Sequence, residues 1–366
     1  MEKIPLRRGR GKEGPKGMDE IKVLNRLAKA VGVTGFEQAG VTETVTELFR
    51  ESTEGFDGAK VWNDHNGNAF AEVGQGGPKL LIMAHLDEIG MAVMKIEDNG
   101  MLRMASVAGV DPRVLPGSEV RVAGKKELRG IVGAIPPHLT ASKKKAYKWD
   151  ELTVDLGLPA ERVRELVSVG DRITFCPDDV LELKNGFVSS KSLDDRALVF
   201  AELYCLELLK KRRFDCRVVM CASVNEEKTG LGARTASYSV DPDMAIVMDV
   251  TFGKAANTPD GYDMDKVMLA FGPNIHPGMF KMLKSAAEEA KIKWEHEPCM
   301  GATGTDATDV QISRLGVPCG LISPPLRYMH TNAETIDLET LKNCGRICAE
   351  FITALGPDWR DKLCLD

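Results

Sequence analysis

The chain has 366 residues, a net charge of −6, 43% hydrophobic and 28% charged residues, an ordinary globular balance with room for one large or two moderate domains. Residues 1–17 hold six Lys/Arg against two Glu, which leaves the remainder at −10 and argues against a nucleic-acid surface. No apolar run approaches the ~20 residues of a membrane-spanning helix, and no apolar signal core opens the chain, so a cytoplasmic protein without membrane contacts is expected.

The tail at 1–17 is rich in Gly and charge and is expected to be disordered. From Asp19 onward, Ile21, Leu24, Leu27 and Ala28 recur at helical spacing up to the breaks at Gly32 and Gly35. A second helix is predicted in VTETVTELFRE. Alternating β segments follow in VWNDHNGNAFAEV, where Asn-Gly marks a turn. The run KLLIM (79–83) reads as a strand buried on both faces. Residues 92–185 differ: Val and Gly are frequent, and short strands such as SEVRVAG, LRGIVGAI and DRITFCP outnumber the one short helical stretch, AERVRELV. That composition predicts a small β-rich, barrel-like domain.

From Asp194 helix and strand alternate again, through DRALVFAELYCLELLKKRR, RVVMCASV, DMAIVMDV and GMFKMLKSAAEEAKI. This order predicts an α/β fold with a mostly parallel sheet covered by helices. The expected division is a tail at 1–17, an α/β catalytic domain in two parts (18–91 and 186–366), and an insert at 92–185. Nine cysteines lie singly with no CxxC, against a disulfide framework or a zinc ribbon. Cys344 and Cys348 are read as core residues of one helix.

Five segments gather acids and histidines where strands end, the usual place for ligands in an α/β sheet. His85 and Asp87 follow KLLIM and point the same way on an extended backbone; a carboxylate beside a ligating imidazole would fix its tautomer. Asp194 and Asp195 precede a long helix, and one of them is free of any capping duty. Glu226 and Glu227 end RVVMCASV; their differing directions suit a metal ligand beside a general base. Asp249 ends DMAIVMDV and, as a buried carboxylate, needs a cation or several donors. His330 follows the apparent strand GLISPP. His296, flanked by Glu295 and Glu297, is assigned to an exposed amphipathic edge. Imidazoles and carboxylates without thiolate favour Zn, Co or Mn at a catalytic site. Five ligands suit two ions that share one carboxylate.

HLDEIG, SLDDR, NEE followed by GLGA, MDVT, GTDA and RYMH resemble, in this order, the glutamyl/tetrahedral (TET) aminopeptidase family of co-catalytic metallopeptidases. CelM-type members of that family carry the label endoglucanase. The similarity runs from about residue 19 to 355. It implies a three-layer phosphorylase/hydrolase-like catalytic domain with an inserted β-barrel domain, and assembly from dimers to dodecamers. By motif, His85 and Asp249 would be terminal ligands of one metal, Glu227 and His330 of the other, with Asp194 bridging. Asp87 would orient His85, and Glu226 would be the general base. The substrates implied are peptides with a free N-terminus; the alternatives are an endoglucanase-like glycoside hydrolase or a metal-dependent amidase or deacylase. Two stretches depart from the family pattern: Lys228 follows the two glutamates, and GATGTDATD stands at 301–309.

Overall fold

The computed structural model describes residues 18–363 apart from residues 137, 140–145 and 177. The tail at 1–17 and the lysine run Lys143–Lys145 lie outside the described residues. An eight-stranded sheet forms the centre, in the order β1 (Lys60–Asn63), β2 (Ala69–Val73), β12 (Arg217–Ser223), β3 (Lys79–His85), β13 (Met244–Met248), β17 (Cys319–Ser323), β15 (Val267–Phe271) and β16 (Trp294–Pro298). Strands β12, β3, β13 and β17 run parallel; β1 and β2 form the antiparallel hairpin predicted around Asn66-Gly67.

Alternation along these strands splits the core in two. Leu80 and Ile82 of β3 face helices α1 (Glu20–Lys29), α2 (Val41–Thr53), α4 (Leu193–Leu209), α6 (Pro277–Glu289) and α8 (Leu338–Ala354). Leu81 and Met83 face α5 (Leu231–Val240) and the short α7 (Ala307–Val310). The result is a helix–sheet–helix sandwich whose central strands are apolar on both faces, as the KLLIM run requires. The short α9 (Trp359–Leu363) packs against α6.

Six antiparallel strands close into a barrel: β4 (Met91–Ile96), β5 (Leu102–Ser106), β8 (Leu152–Asp155), β7 (Glu127–Ala134), β6 (Glu119–Ala123) and β9 (Arg172–Phe175), with β9 returning to β4. Helix α3 (Ala160–Leu166), the one predicted in AERVRELV, seals it with Val163. A third sheet, β10 (Leu181–Glu182), β11 (Phe187–Ser190), β19 (Glu334–Asp337), β18 (Pro325–Arg327) and β14 (Thr251–Phe252), flanks the ends of the large one. Cys344 and Cys348 are buried on α8, and every described cysteine is a free thiol. Among the described residues no helix is long and apolar enough to cross a membrane.

Candidate metal centre

The predicted acids and histidines meet at the carboxyl edge of the parallel strands. His85 is the last residue of β3, Asp249 follows β13 directly, and Glu226 and Glu227 lie in the turn after β12. Asp194 stands at the irregular start of α4, just after β11, and His330 in the turn between β18 and β19. Neither Asp194 nor Asp195 caps α4: the Asp194 oxygens face the two histidines, and Asp195 accepts the N–H of His85 instead of one from the first turn. The turns are tight: Ser192, Asn225, Tyr328 and His330 all adopt positive φ, between 57° and 64°. Side-chain-bearing residues adopt this conformation only at a cost, so the surrounding contacts must enforce it.

Asp194 lies between the two histidines. Its Oδ1 is 3.1 Å from His85 Nε2 and its Oδ2 is 3.4 Å from His330 Nε2. His330 Nε2 is also 3.3 Å from Glu227 Oε2, and Glu226 Oε2 is 3.8 Å from His85 Nε2. Donor atoms of His85, Asp194 and Asp249 fall within 4.8 Å of one another, as do those of Asp194, Glu227 and His330. These six residues line one cleft of about 540 Å³, whose lining contains no Lys or Arg.

The electrostatics show a shortage of positive charge. Burial, then the Glu226 carboxylate, pushes Asp249 well above the ordinary carboxylate range. Burial raises Glu227 and takes Glu226 up to about 8. Asp194 moves the other way, because the two imidazoles outweigh its burial. His330, though burial opposes its charge, is pushed up to about 11 by Asp194 and Glu227. Crowded carboxylates with elevated pKa values are what a cation would relieve. Imidazole and carboxylate donors fit a catalytic divalent ion.

Three comparisons relate the chain to known proteins. The model of the M42 glutamyl aminopeptidase family matches residues 67–347. The chain belongs to this family. Its members are metal-dependent aminopeptidases, which makes this protein a metallopeptidase and a hydrolase. It is 32% identical to a lysyl aminopeptidase of Pyrococcus furiosus over 356 residues, 93% of this chain and 99% of the relative. An aminopeptidase from the archaeon Desulfurococcus kamchatkensis superposes with a TM-score of 0.84 at 31% identity, over 93% and 96% of the two chains. The TET1 peptidase of Pyrococcus horikoshii, described as assembling into a tetrahedron or a large octahedral shell, matches at TM-score 0.78 and 27% identity, over 92% of this chain and all of that one. The similarity to TET aminopeptidases expected from the motifs, and the α/β fold with a small β-barrel, hold.

Several carboxylates build this M42 site without lining the cleft. Asp87 is fully buried, with Oδ1 3.4 Å from His85 Nδ1. The two Asp87 oxygens also accept the backbone N–H groups of Glu226 and Glu227, at 3.1 and 3.2 Å. Asp195 accepts the N–H of His85 at 3.1 Å. Glu37 accepts from the N–H groups of Gly35 and Asn225 and so braces the glutamate turn. Glu334 accepts the N–H of Asp194 at 3.0 Å and of His330 at 2.8 Å. Asp306, from the GTDA motif, accepts the Ser223 hydroxyl, while its Oδ1 is buried with no partner. The barrel touches the site at Gly109, where a Cβ would come within 2.4 Å of His330 Nδ1.

Glu334, Glu37, Asp195 and Asp306 are absent from the sequence-predicted set. Glu334 carries no local signal in the sequence, while Asp195 and Asp306 stand inside the SLDDR and GTDA motifs. The Glu295-His296-Glu297 reading needs correction at its last residue. Glu295 and His296 are exposed on edge strand β16, but Glu297 is part-buried and lines the cleft.

Proposed function

We propose that the chain removes N-terminal residues from peptides with two divalent cations seated side by side on one shared aspartate. His85 and Asp249 would hold one cation, Glu227 and His330 the other, and Asp194 both. The observation that carries this reading is the placement of Asp194, whose two carboxylate oxygens face different histidines at 3.1 and 3.4 Å. Zinc or cobalt suits these donors best, with manganese an alternative. When bound, the cations supply a lowered pKa for water and a counter-charge for the developing oxyanion.

Glu226 is the general base. It lines the cleft beside His85 and Asp249 and has no capping or ion-pairing duty elsewhere. It takes a proton from the attacking water and returns it to the leaving amine nitrogen. Hydroxyl thus goes to the acyl carbon and a hydrogen to the nitrogen as the C–N bond breaks. Asp87 is a positioning residue: it aims the His85 ring and fixes the main chain that carries both glutamates. Paired carboxylates alone would serve glycoside hydrolysis, but that chemistry has no use for two imidazoles in the cage. Residues 92–185 are read as the insert that mediates self-association, in line with the shell-forming relative. Free thiols suit a reducing cytoplasm.

The test is Glu226→Gln. It should keep two metal equivalents per chain by elemental analysis, yet lose about 10²- to 10⁴-fold in turnover of aminoacyl chromogenic substrates. Near-normal turnover removes Glu226 as the base, and a single equivalent in the wild type ends the two-cation reading.

A further inference from the structure

Past the cage, the cleft runs between β14 and the end of edge strand β16. Its wall there is mainly apolar and hydroxylic, with Phe252, Leu321 and Met329 on one hand and Thr251 and Ser323 on the other. Leaving aside the five cage residues and Glu226, the lining contains one acidic or basic side chain, Glu297. Its Oε2 is shut off from water and has no hydrogen-bond partner. The lysines beside this strand are engaged elsewhere: Lys266 with Glu295 at 2.7 Å, Lys293 with Asp265 at 2.5 Å. A carboxylate in this position is unfavourable until a cation or further donors reach it.

The cage does not relieve Glu297, since it is itself short of positive charge. Burial pushes the Glu297 carboxyl upward against the pull of the Thr251 and Ser323 hydroxyls. Beyond those two hydroxyls the cleft lining offers no Lys or Arg to pair with it, so a cationic partner would have to be part of a bound molecule. Such a molecule would need methylenes to lie along Phe252, Leu321 and Met329, and a positive head to meet the carboxylate.

We propose that Glu297 sets substrate choice, by receiving the cationic head of an N-terminal lysine or arginine whose methylenes line the apolar wall. The proposal rests on the reading of this cleft as the aminopeptidase site. An N-terminal residue held at the cage projects its side chain into this part of the cleft, where a long cation meets the carboxylate and a neutral chain leaves Glu297 with the Thr251 and Ser323 hydroxyls alone. Acidic side chains would meet repulsion and are the poorest substrates.

The experiment uses the full, metal-loaded enzyme with lysyl, norleucyl and glutamyl chromogenic substrates. Norleucine is lysine without the ammonium group, so the lysyl/norleucyl ratio of kcat/KM isolates the charge. Wild type should favour lysyl, and Glu297→Gln should lower the ratio at least about tenfold, the loss expected for one charge-assisted hydrogen bond. Norleucyl turnover should hold or rise as the buried charge is removed, which also verifies folding. Glu297→Lys should raise glutamyl over lysyl turnover. An unchanged ratio overturns the assignment, and so does an equal fall on both substrates. An enzyme inactive on all three would sink the peptidase reading instead. Calorimetric binding of free lysine, weaker in Glu297→Gln, would then still judge Glu297.

Discussion

Among the described residues between Met91 and Phe175 the barrel buries valine, leucine, isoleucine, methionine, phenylalanine and one alanine, and the buried polar side chains are the two hydroxyls of Ser118 and Thr174. The carboxyl edge of the large sheet buries His85, Asp87, Glu88, Lys191, Asp194, Asp195, Arg196, Asp249, Asp306 and Glu334. Of the eight left-handed side-chain-bearing residues among the described ones, four belong to this edge, namely the candidate ligand His330 and its neighbours in the ligand-bearing turns Ser192, Asn225 and Tyr328, and none lies between Met91 and Phe175. One region is stabilised by plain packing; the other gives up stability to hold charge in a fixed geometry. Part of that deficit is offset within the protein. The Glu88 carboxylate, despite its burial, is held at about 2 by Arg196 and Lys191. The cage carboxylates have only the two histidines for this, since no Lys or Arg lines their cleft.

This contrast predicts that damage to the two regions will separate cleanly. Leu102→Ala empties space in the barrel core, where Leu102 is fully buried, and should cost about 2–5 kcal/mol in denaturant unfolding. Metal content and kcat/KM per folded molecule should not change; a loss of metal would show that the barrel and the cage are one cooperative unit. Glu334→Gln keeps every candidate ligand but leaves one of two N–H groups facing an amide NH₂. Metal affinity should weaken about 10- to 100-fold in chelator competition, and an unaltered affinity would reduce Glu334 to a bystander.

The smallest effect is expected from Asp249→Asn in the chelated protein. Folding raises the Asp249 pKa, so the native state binds this proton more tightly than the unfolded chain. The metal-free protein therefore gains stability as pH falls towards the unfolded pKa and loses it as pH rises. Asparagine removes that liability and should raise the chelated melting temperature at neutral pH by about 2–4 °C. A lower melting temperature in the variant would mean that the Asp249 charge is satisfied without a cation.

The parts of the site legible in the sequence are those where local and tertiary signals coincide. An apolar run ending in an acid or histidine, as at His85, Glu226 and Asp249, announces a buried strand and its exit together. Glu334 gives no such signal, since Ala333-Glu334-Thr335 reads as ordinary surface. Its burial arises only when β19 pairs with β11 and β18. Glu297 misled for the opposite reason: Glu-His-Glu has the alternation of a solvent-facing edge, and edge strand β16 does expose His296. What brings Glu297 to the cleft is the approach of β14 and β17, which no local pattern encodes. The barrel was visible from its Val/Gly composition, though its closure through β4 and β9 depends on pairing between distant segments.

Besides the His85 ring that Asp87 faces, Asp87 and Glu334 grip backbone: they accept the N–H groups of Glu226, Glu227, Asp194 and His330. The turns that bear the ligands are thus tied by bonds no ion takes part in. Stripping the cation should leave an empty seat that keeps its shape, and refilling it becomes ligand exchange on a folded chain. Exchange of one added cation for another is then expected to proceed without global unfolding, which hydrogen exchange during metal replacement would check.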